Sequence, residues 1–394
     1  MKFILPFSGR SHQYCEEEIS AVATAMRDAD PLTQGKYRTE FERKFCDYNG
    51  VEFAYTTCNA TASLEMAAQL CQFSHGDDII IPSHTFTASA YPFLKKGARP
   101  IWADIDLTTR VITAESIRKC LTARSKAIVV VHLYGFIADM PAIMELAREH
   151  GLIVIEDAAQ AIGTEIEGRK AGAFGDFGVF SFHSHKNITT LGEGGMLVVK
   201  NPEYAGIVPM LRHNGHCAFD YPREDYWIPA MGNVDFPILN GQDLWPNNYC
   251  LGEIECALGI KLLDRIDSIN DKKRERAMWF IDALADFPEL EFHRVDTRRH
   301  NYHLLPARMT NGKRDAFIRK MALQKGVQCV VQYYPLNRYD MYQKAGFGAA
   351  DCPNADLFFD NMISFPFHHW MSEADLEYML EASRSVLTQL RLQA

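Results

Sequence analysis

The chain has 394 residues, 47% of them hydrophobic and 23% charged, with a formal net charge of −9. This composition suits a soluble globular protein with a sizeable core, and the negative charge argues against general nucleic-acid binding, which needs a basic surface. A phosphorylated small ligand is not excluded, because backbone amides can hold a phosphate locally on an acidic protein.

The N-terminal "MKFILPFSGR" has only a short apolar stretch, interrupted by Pro6, and does not read as a signal peptide. No apolar run approaches the roughly 20 residues of a membrane-spanning helix. The ten cysteines, from Cys15 to Cys352, contain no CxxC pair. A reduced, mostly buried state is expected, which points to the cytoplasm. The spacing of "GRSHQY" and "HKN" does not suit a metal site, and no metal is expected.

In chain order, "CNATASLEMAAQL" (58–70) leads from small and hydroxylated residues into a helix. Strands are expected at "DIIIPSHTF", "RPIWADID", "AIVVVHLYG", "LIVIEDAAQ" and "FGVFSFHSH". "PAIMELAREHG" reads as a crossover helix ending at Gly151. Continuous apolar strands joined by helices imply a mainly parallel sheet covered on both faces. Polar residues follow the apolar runs, where the ligands of such sheets sit, beyond the carboxyl ends of the strands. Residues 251–273 read as one long helix. After it come "GVQCVVQYYP", read as a strand, and a closing helix, "SEADLEYMLEASRSVLTQLR". The expected division is a large domain over 1–270 and a smaller one over 271–394.

Four features carry chemistry. Asp157 ends a strand, where its carboxylate can face a ligand, although a loop acid or helix cap would look the same. Thr61 lies where a helix N-terminus can bind a phosphate, or where Thr61 or Asn59 simply caps. Phe86 follows a strand beside His84 and Thr85, where it can stack on a flat ring or fill the core. Lys186 sits in "SFHSHKNITTLGEGG". A free lysine, with a pKa of about 10.4, is a poor nucleophile at neutral pH. An aldehyde cofactor resolves this, because the imine forms once and is then exchanged with substrate amines. Pyridoxal phosphate requires a lysine, a carboxylate for its ring nitrogen, a phosphate cradle and a flat cover. Lys186, Asp157, the Thr61 region and Phe86 supply all four.

The chain resembles the DegT/DnrJ/StrS sugar aminotransferases nearly from end to end. "LTQGKYRTEFERKF", "ATASLEMA", "PSHTFTASA", "VVHLYG", "IEDAAQAIG", "GAFGDFGVFSF" and "KNITTLGEGGML" match in order and spacing. The resemblance implies the α/β fold of aspartate aminotransferase (fold type I), with a small α/β C-terminal domain, and pyridoxal 5'-phosphate as cofactor. It implies that Lys186 forms the covalent link and shuttles a proton, and that Asp157 keeps the ring nitrogen protonated. It further implies that Gln160 lies against the ring, that Phe86 stacks on it, and that Thr61, Ala62 and Ser181 hold the phosphate. "NNYCLGEIECALG" is similar to the family segment whose asparagine crosses to the neighbouring subunit's phosphate. Asn248 is the better match than Asn247, so a homodimer with shared sites is implied.

The implied reaction is amino transfer from L-glutamate to a keto-sugar, nucleotide-linked in the pattern of the family. Departures touch the substrate end: "HYxPLH" appears as "QYYPLN" (332–337), and His185 precedes Lys186. These leave room for a keto-cyclitol aminotransferase of the aminoglycoside type. A sugar dehydratase of this fold replaces the lysine or adds iron–sulfur cysteines, and a non-catalytic regulator has no reason to keep Lys186, Asp157 and the cradle together. His183 flanks the cofactor strand, and His132 reads as a structural residue at a strand end.

Overall fold

The computed structural model describes residues 2–10, 12–219 and 232–392. Two helices, α1 (Glu16–Asp28) and α2 (Lys36–Asn49), precede β1 (Phe53–Thr57) and α3 (Ala60–Leu70). There follow β2 (Asp78–Pro82), β3 (Arg99–Ala103), β4 (Ser125–Val131), α4 (Met140–His150), β5 (Ile153–Asp157), β6 (Phe177–Ser181) and β7 (Gly195–Val199).

Among the described residues, seven strands form one sheet in the order β1-β7-β6-β5-β4-β2-β3. The pairs β2/β3, β2/β4, β4/β5 and β5/β6 are parallel, and β7 runs antiparallel to both β1 and β6. The five strands read from the sequence are all present. Ile79, Ile80, Ile81 and the run Ala127–Val130 are fully buried, as expected for strands covered on both faces. The crossover helix α4 starts at Asp139, whose Oδ1 accepts from the Ala142 amide at 3.4 Å, and stops at Gly151 in the left-handed conformation (φ 64°).

The helix expected over 251–273 is two helices, α5 (Glu253–Asp264) and α6 (Ile266–Ala283). Arg265 leaves helical geometry (φ −117°, ψ 11°), and its amide bonds Leu262 O, three residues back. Its guanidinium is held sideways by Glu18 of α1 at 3.1 Å. The second correction is "GVQCVVQYYP", which forms no strand. Its ladder pairing is limited to isolated bridges, Val327 with Leu5 and Val330 with Ser364, because the chain then leaves the sheet edge to reach the cavity described below.

A second, three-stranded antiparallel sheet joins β8 (Leu290–Phe292), β9 (Leu305–Met309) and β10 (Met362–Phe365), covered by α7 (Glu373–Arg391). Two hydrophobic clusters result. Residue 270 lies inside α6, whose Ile266 and Ile269 pack on the large cluster and whose Ala277, Phe280 and Ile281 pack on the second. Among the described residues, no helix is long and apolar enough to cross a membrane.

One buried carboxylate ties α5 to the start of α2. Glu253 Oε1 accepts from the Gly35 amide and Oε2 from the Tyr37 amide, each at 2.7 Å. The charge lies at the helix N-terminus, where the dipole favours it. A Cβ on Gly35 would stand 2.8 Å from Oε2, so the close approach requires glycine. Glu253→Ala should cost about 3 kcal/mol, since hydrogen bonds to charged groups are the strong ones. Scanning calorimetry should show a melting point lower by roughly 5 °C, and an unchanged one would mean that water replaces the carboxylate without loss.

Candidate active site

The carboxyl ends of β4, β5 and β6 and the N-terminus of α3 surround a cavity of about 410 Å³. The site is built outward from β5. Apolar residues Ile153–Ile155 carry the strand through the core, and Asp157 emerges at its end, 6% exposed. Its Oδ2 accepts from Ser89 Oγ at 2.7 Å and its Oδ1 from the Ala159 amide at 3.2 Å. Among the described residues, no cationic side chain pairs with this carboxylate. Buried charges are normally paired, so the carboxylate suits a cation placed in the cavity.

The neighbouring Glu156 points the other way and fixes the strand end. It accepts from the amides of Gly172, Phe174 and Gly175 at 2.6–2.8 Å and from His132 Nε2 at 2.9 Å. His132 Nδ1 accepts from the Ala138 amide at 3.2 Å, so Nε2 carries the proton. His132 is structural here.

Lys186 lies in the loop after β6. Its amide donates to His183 O at 2.8 Å, and its carbonyl accepts from His12 Nε2 at 2.9 Å. Burial lowers its ammonium from the ordinary lysine value to about 8, with Asp157 and Glu193 opposing the shift. A lysine drawn towards neutrality in a cleft is suited to nucleophilic and proton-transfer work.

At the cradle, Asn59 Oδ1 accepts from the Ala62 amide at 2.9 Å and caps α3. Asn59, Ala60, Thr61 and Ser181 line the cavity. Ala62 does not, because its amide is already taken and its side chain is buried. The free amides at the mouth of the helix are therefore those of Ala60 and Thr61, one residue earlier than the sequence motif suggests. Phe86 lines the cavity while 53% exposed, an aromatic face without a cover. Gln160 accepts from the Tyr134 amide at 2.7 Å and donates to Tyr333 Oη at 3.1 Å. Asn248 is exposed and lies outside this cavity, whereas the Asn247 amide is engaged by Gln69 Oε1 at 2.8 Å.

The residues present fit pyridoxal phosphate: a desolvated lysine, a buried carboxylate lacking a cation, unpaired helix amides and an uncovered ring share one cavity. The sequence profile of the DegT/DnrJ/EryC1/StrS aminotransferase family matches residues 13–384. The chain belongs to this family. It is 34% identical over 359 residues to the GDP-perosamine synthase of Caulobacter vibrioides, covering 90% of this chain and 91% of that one. It is 34% identical over 276 residues to the L-glutamine:2-deoxy-scyllo-inosose aminotransferase of Streptomyces paromomycinus, covering 69% of this chain and 62% of the relative. Among solved structures it resembles the PLP form of the sugar aminotransferase Spr1654 from Streptococcus pneumoniae, with a TM-score of 0.85 and 25% identity over 98% of this chain and 99% of that one. As a member of the family, it is an aminotransferase that uses pyridoxal phosphate.

Two contributors escaped the motif reading. Ser89 lies within "PSHTFTASA", three residues past Phe86, and only the fold shows that it meets Asp157. His303 lies just before β9, far in sequence from every cofactor motif, yet lines the cavity.

Because only the neutral amine attacks an aldehyde, capture of pyridoxal phosphate by the apoprotein should accelerate with pH around a midpoint of about 8. Stopped-flow absorbance measures this. A midpoint near the ordinary lysine value of about 10.4 would show that Lys186 is solvated.

Proposed function

We propose that this protein transfers an amino group from L-glutamate to a keto-sugar carried on a nucleotide, in cytoplasmic amino-sugar biosynthesis. The observation that carries the reading is the convergence of Lys186 with the cation-free carboxylate of Asp157 in one cavity. The similarity to GDP-perosamine synthase supports a nucleotide-linked sugar. A keto-cyclitol is the second reading, favoured by Gln332 and Asn337 where the family pattern has histidines and by the cyclitol aminotransferase relative.

The cofactor, when bound, supplies an electron sink for the carbanion that amino transfer requires. Lys186 Nζ would hold the cofactor's aldehyde carbon and then carry a proton between that carbon and the substrate carbon bearing nitrogen. Asp157 would keep the proton on the ring nitrogen, held in place by Ser89. Phe86 would cover the ring and exclude water, with Gln160 beside it. The amides of Ala60 and Thr61, with Ser181, would hold the phosphate on the positive end of α3. Asn248, exposed and outside the cavity of its own chain, would reach the phosphate of a neighbouring subunit in a two-fold dimer.

The substrate test uses purified holoenzyme with L-glutamate and a panel of UDP-, dTDP- and GDP-linked keto-sugars together with 2-deoxy-scyllo-inosose, following 2-oxoglutarate release. Turnover of a nucleotide-linked keto-sugar is expected. Turnover of the cyclitol alone would replace it with the second reading.

The shared site is tested by co-refolding Lys186→Ala with Asn248→Ala, each inactive or strongly impaired alone. In a mixed dimer both lesions fall in one site and the other is intact. With random pairing, roughly half the dimers are mixed and about a quarter of all sites recover. No recovery, given an impaired Asn248→Ala enzyme, would place both residues in the same site from one chain.

A further inference from the structure

A buried run of polar side chains lies behind the cavity, and the reaction described above makes no use of it. Asn187, Asn270, Lys273 and His303 are each at most 4% exposed. Asn270 Nδ2 donates to the carbonyl of Ile162 at 2.9 Å, which fixes the orientation of that amide. Asn270 Oδ1 then accepts from Asn187 Nδ2 at 2.8 Å. Asn187 Oδ1 therefore faces the opposite way, where Lys273 Nζ approaches to 3.1 Å and His303 Nδ1 to 3.2 Å. A lysine ammonium only donates, so the position of the oxygen is set independently from both ends of the run. His303 Nδ1 must carry the proton that this oxygen accepts.

Lys273 also donates to His303 O at 2.9 Å, which holds the backbone of the same residue. Among the described residues it has no carboxylate partner, and burial lowers it to about 7. The titratable groups facing His303 are Lys186, Lys273, His185 and His183, all bases. Together with burial they hold His303 well below the ordinary histidine value, so the ring stays neutral. A neutral imidazole protonated on Nδ1 has a bare lone pair on Nε2. His303 lines the cavity that Lys186 lines, beside Leu304 and Tyr333.

We propose that the Asn270–Asn187–Lys273 run locks His303 as a hydrogen-bond acceptor, whose Nε2 takes a hydroxyl hydrogen of the amine-accepting substrate, with Lys273 as the positioning residue behind it. This rests on the reading that the acceptor is a polyhydroxylated ketone, and it names the residue that selects it. A site whose acceptor is fixed discriminates against a ligand lacking the hydroxyl, because the nitrogen is then desolvated without a partner. A ring free to change tautomer would offer an N–H instead and lose that discrimination. The buried ammonium of Lys273 prevents the change, since Asn187 Oδ1 cannot turn away from two donors without leaving both unpaired.

The test has two arms. In spectra of the ¹⁵N-histidine-labelled holoenzyme, the His303 ring is identified by its loss in His303→Gln. It should be the neutral Nδ1–H form at pH 6, where Lys273 is an ammonium, and Lys273→Met should convert it to a mixture of tautomers. An Nε2–H ring, an imidazolium, or an unchanged ring in Lys273→Met overturns the lock. In the second arm the two half-reactions are measured separately. For His303→Phe, bleaching of the cofactor by L-glutamate should stay within about threefold of wild type, while KM for the sugar acceptor rises about thirtyfold. His303→Gln, which keeps an acceptor oxygen, should recover most of that loss. Equal losses in both half-reactions, or no recovery by glutamine, overturn the assignment. The spectral arm needs no substrate, so a wrong substrate class appears as absent turnover with the ring still locked.

Discussion

A negative charge without a cation organises this molecule. Asp157 stands at the end of a buried strand, satisfied by one hydroxyl and one amide but, among the described residues, in no ion pair. In a low-dielectric interior such a charge is expensive unless something pairs with it. The protein leaves that pairing to a ligand, so the apoprotein carries a cost that binding removes. Much of the surrounding architecture prevents cheaper solutions. Glu156 is turned away from the cavity and saturated by three amides and His132. Lys186, on the loop after β6, makes no ion pair with it among the described residues, and burial lowers its ammonium to about 8.

The fold and the cofactor half of the site were legible in the sequence because both obey local rules. A strand covered on both faces reads as an apolar run, and its first polar residue marks where it leaves the core. Asp157, after the apolar run of β5, and Lys186, after that of β6, are read as candidates in this way. The helix break at Arg265 was not legible. Leu263 and Ile266 keep an apolar stripe running across it, and the residue that holds the Arg265 guanidinium at the break, Glu18, lies more than two hundred residues away. "GVQCVVQYYP" failed for a related reason. Its β-branched residues have strand propensity, but propensity reports fit to a half-buried surface, and the segment is needed at the cavity wall.

Placement at atomic scale was also beyond the motif. The hydroxylated stretch around Thr61 announces a helix N-terminus, but which amides remain free depends on the rotamer of Asn59. Once Asn59 Oδ1 takes the Ala62 amide, the open donors are one residue earlier. Ser89 and His303 carry no local signature, since each acquires its meaning from a partner brought to it by the fold.

That dependence extends to the relation between the two units. The chain beyond α6 contributes Gln332, Tyr333 and His303 to the cavity wall. Tyr134 Oη donates to Gln332 O at 2.6 Å and accepts from His84 Nε2 at 2.8 Å, which binds that wall to the end of β4. Burial holds His84 near 3, so this contact keeps one protonation state over the whole physiological range. Tyr134 thus joins the strand ends to the wall formed by Gln332 and Tyr333 through hydrogen bonds between uncharged groups, which salt leaves unscreened. That junction leaves Lys186 as the group whose charge changes near neutrality at the centre of the cavity, so proton movement there does not disturb the frame that positions the substrate.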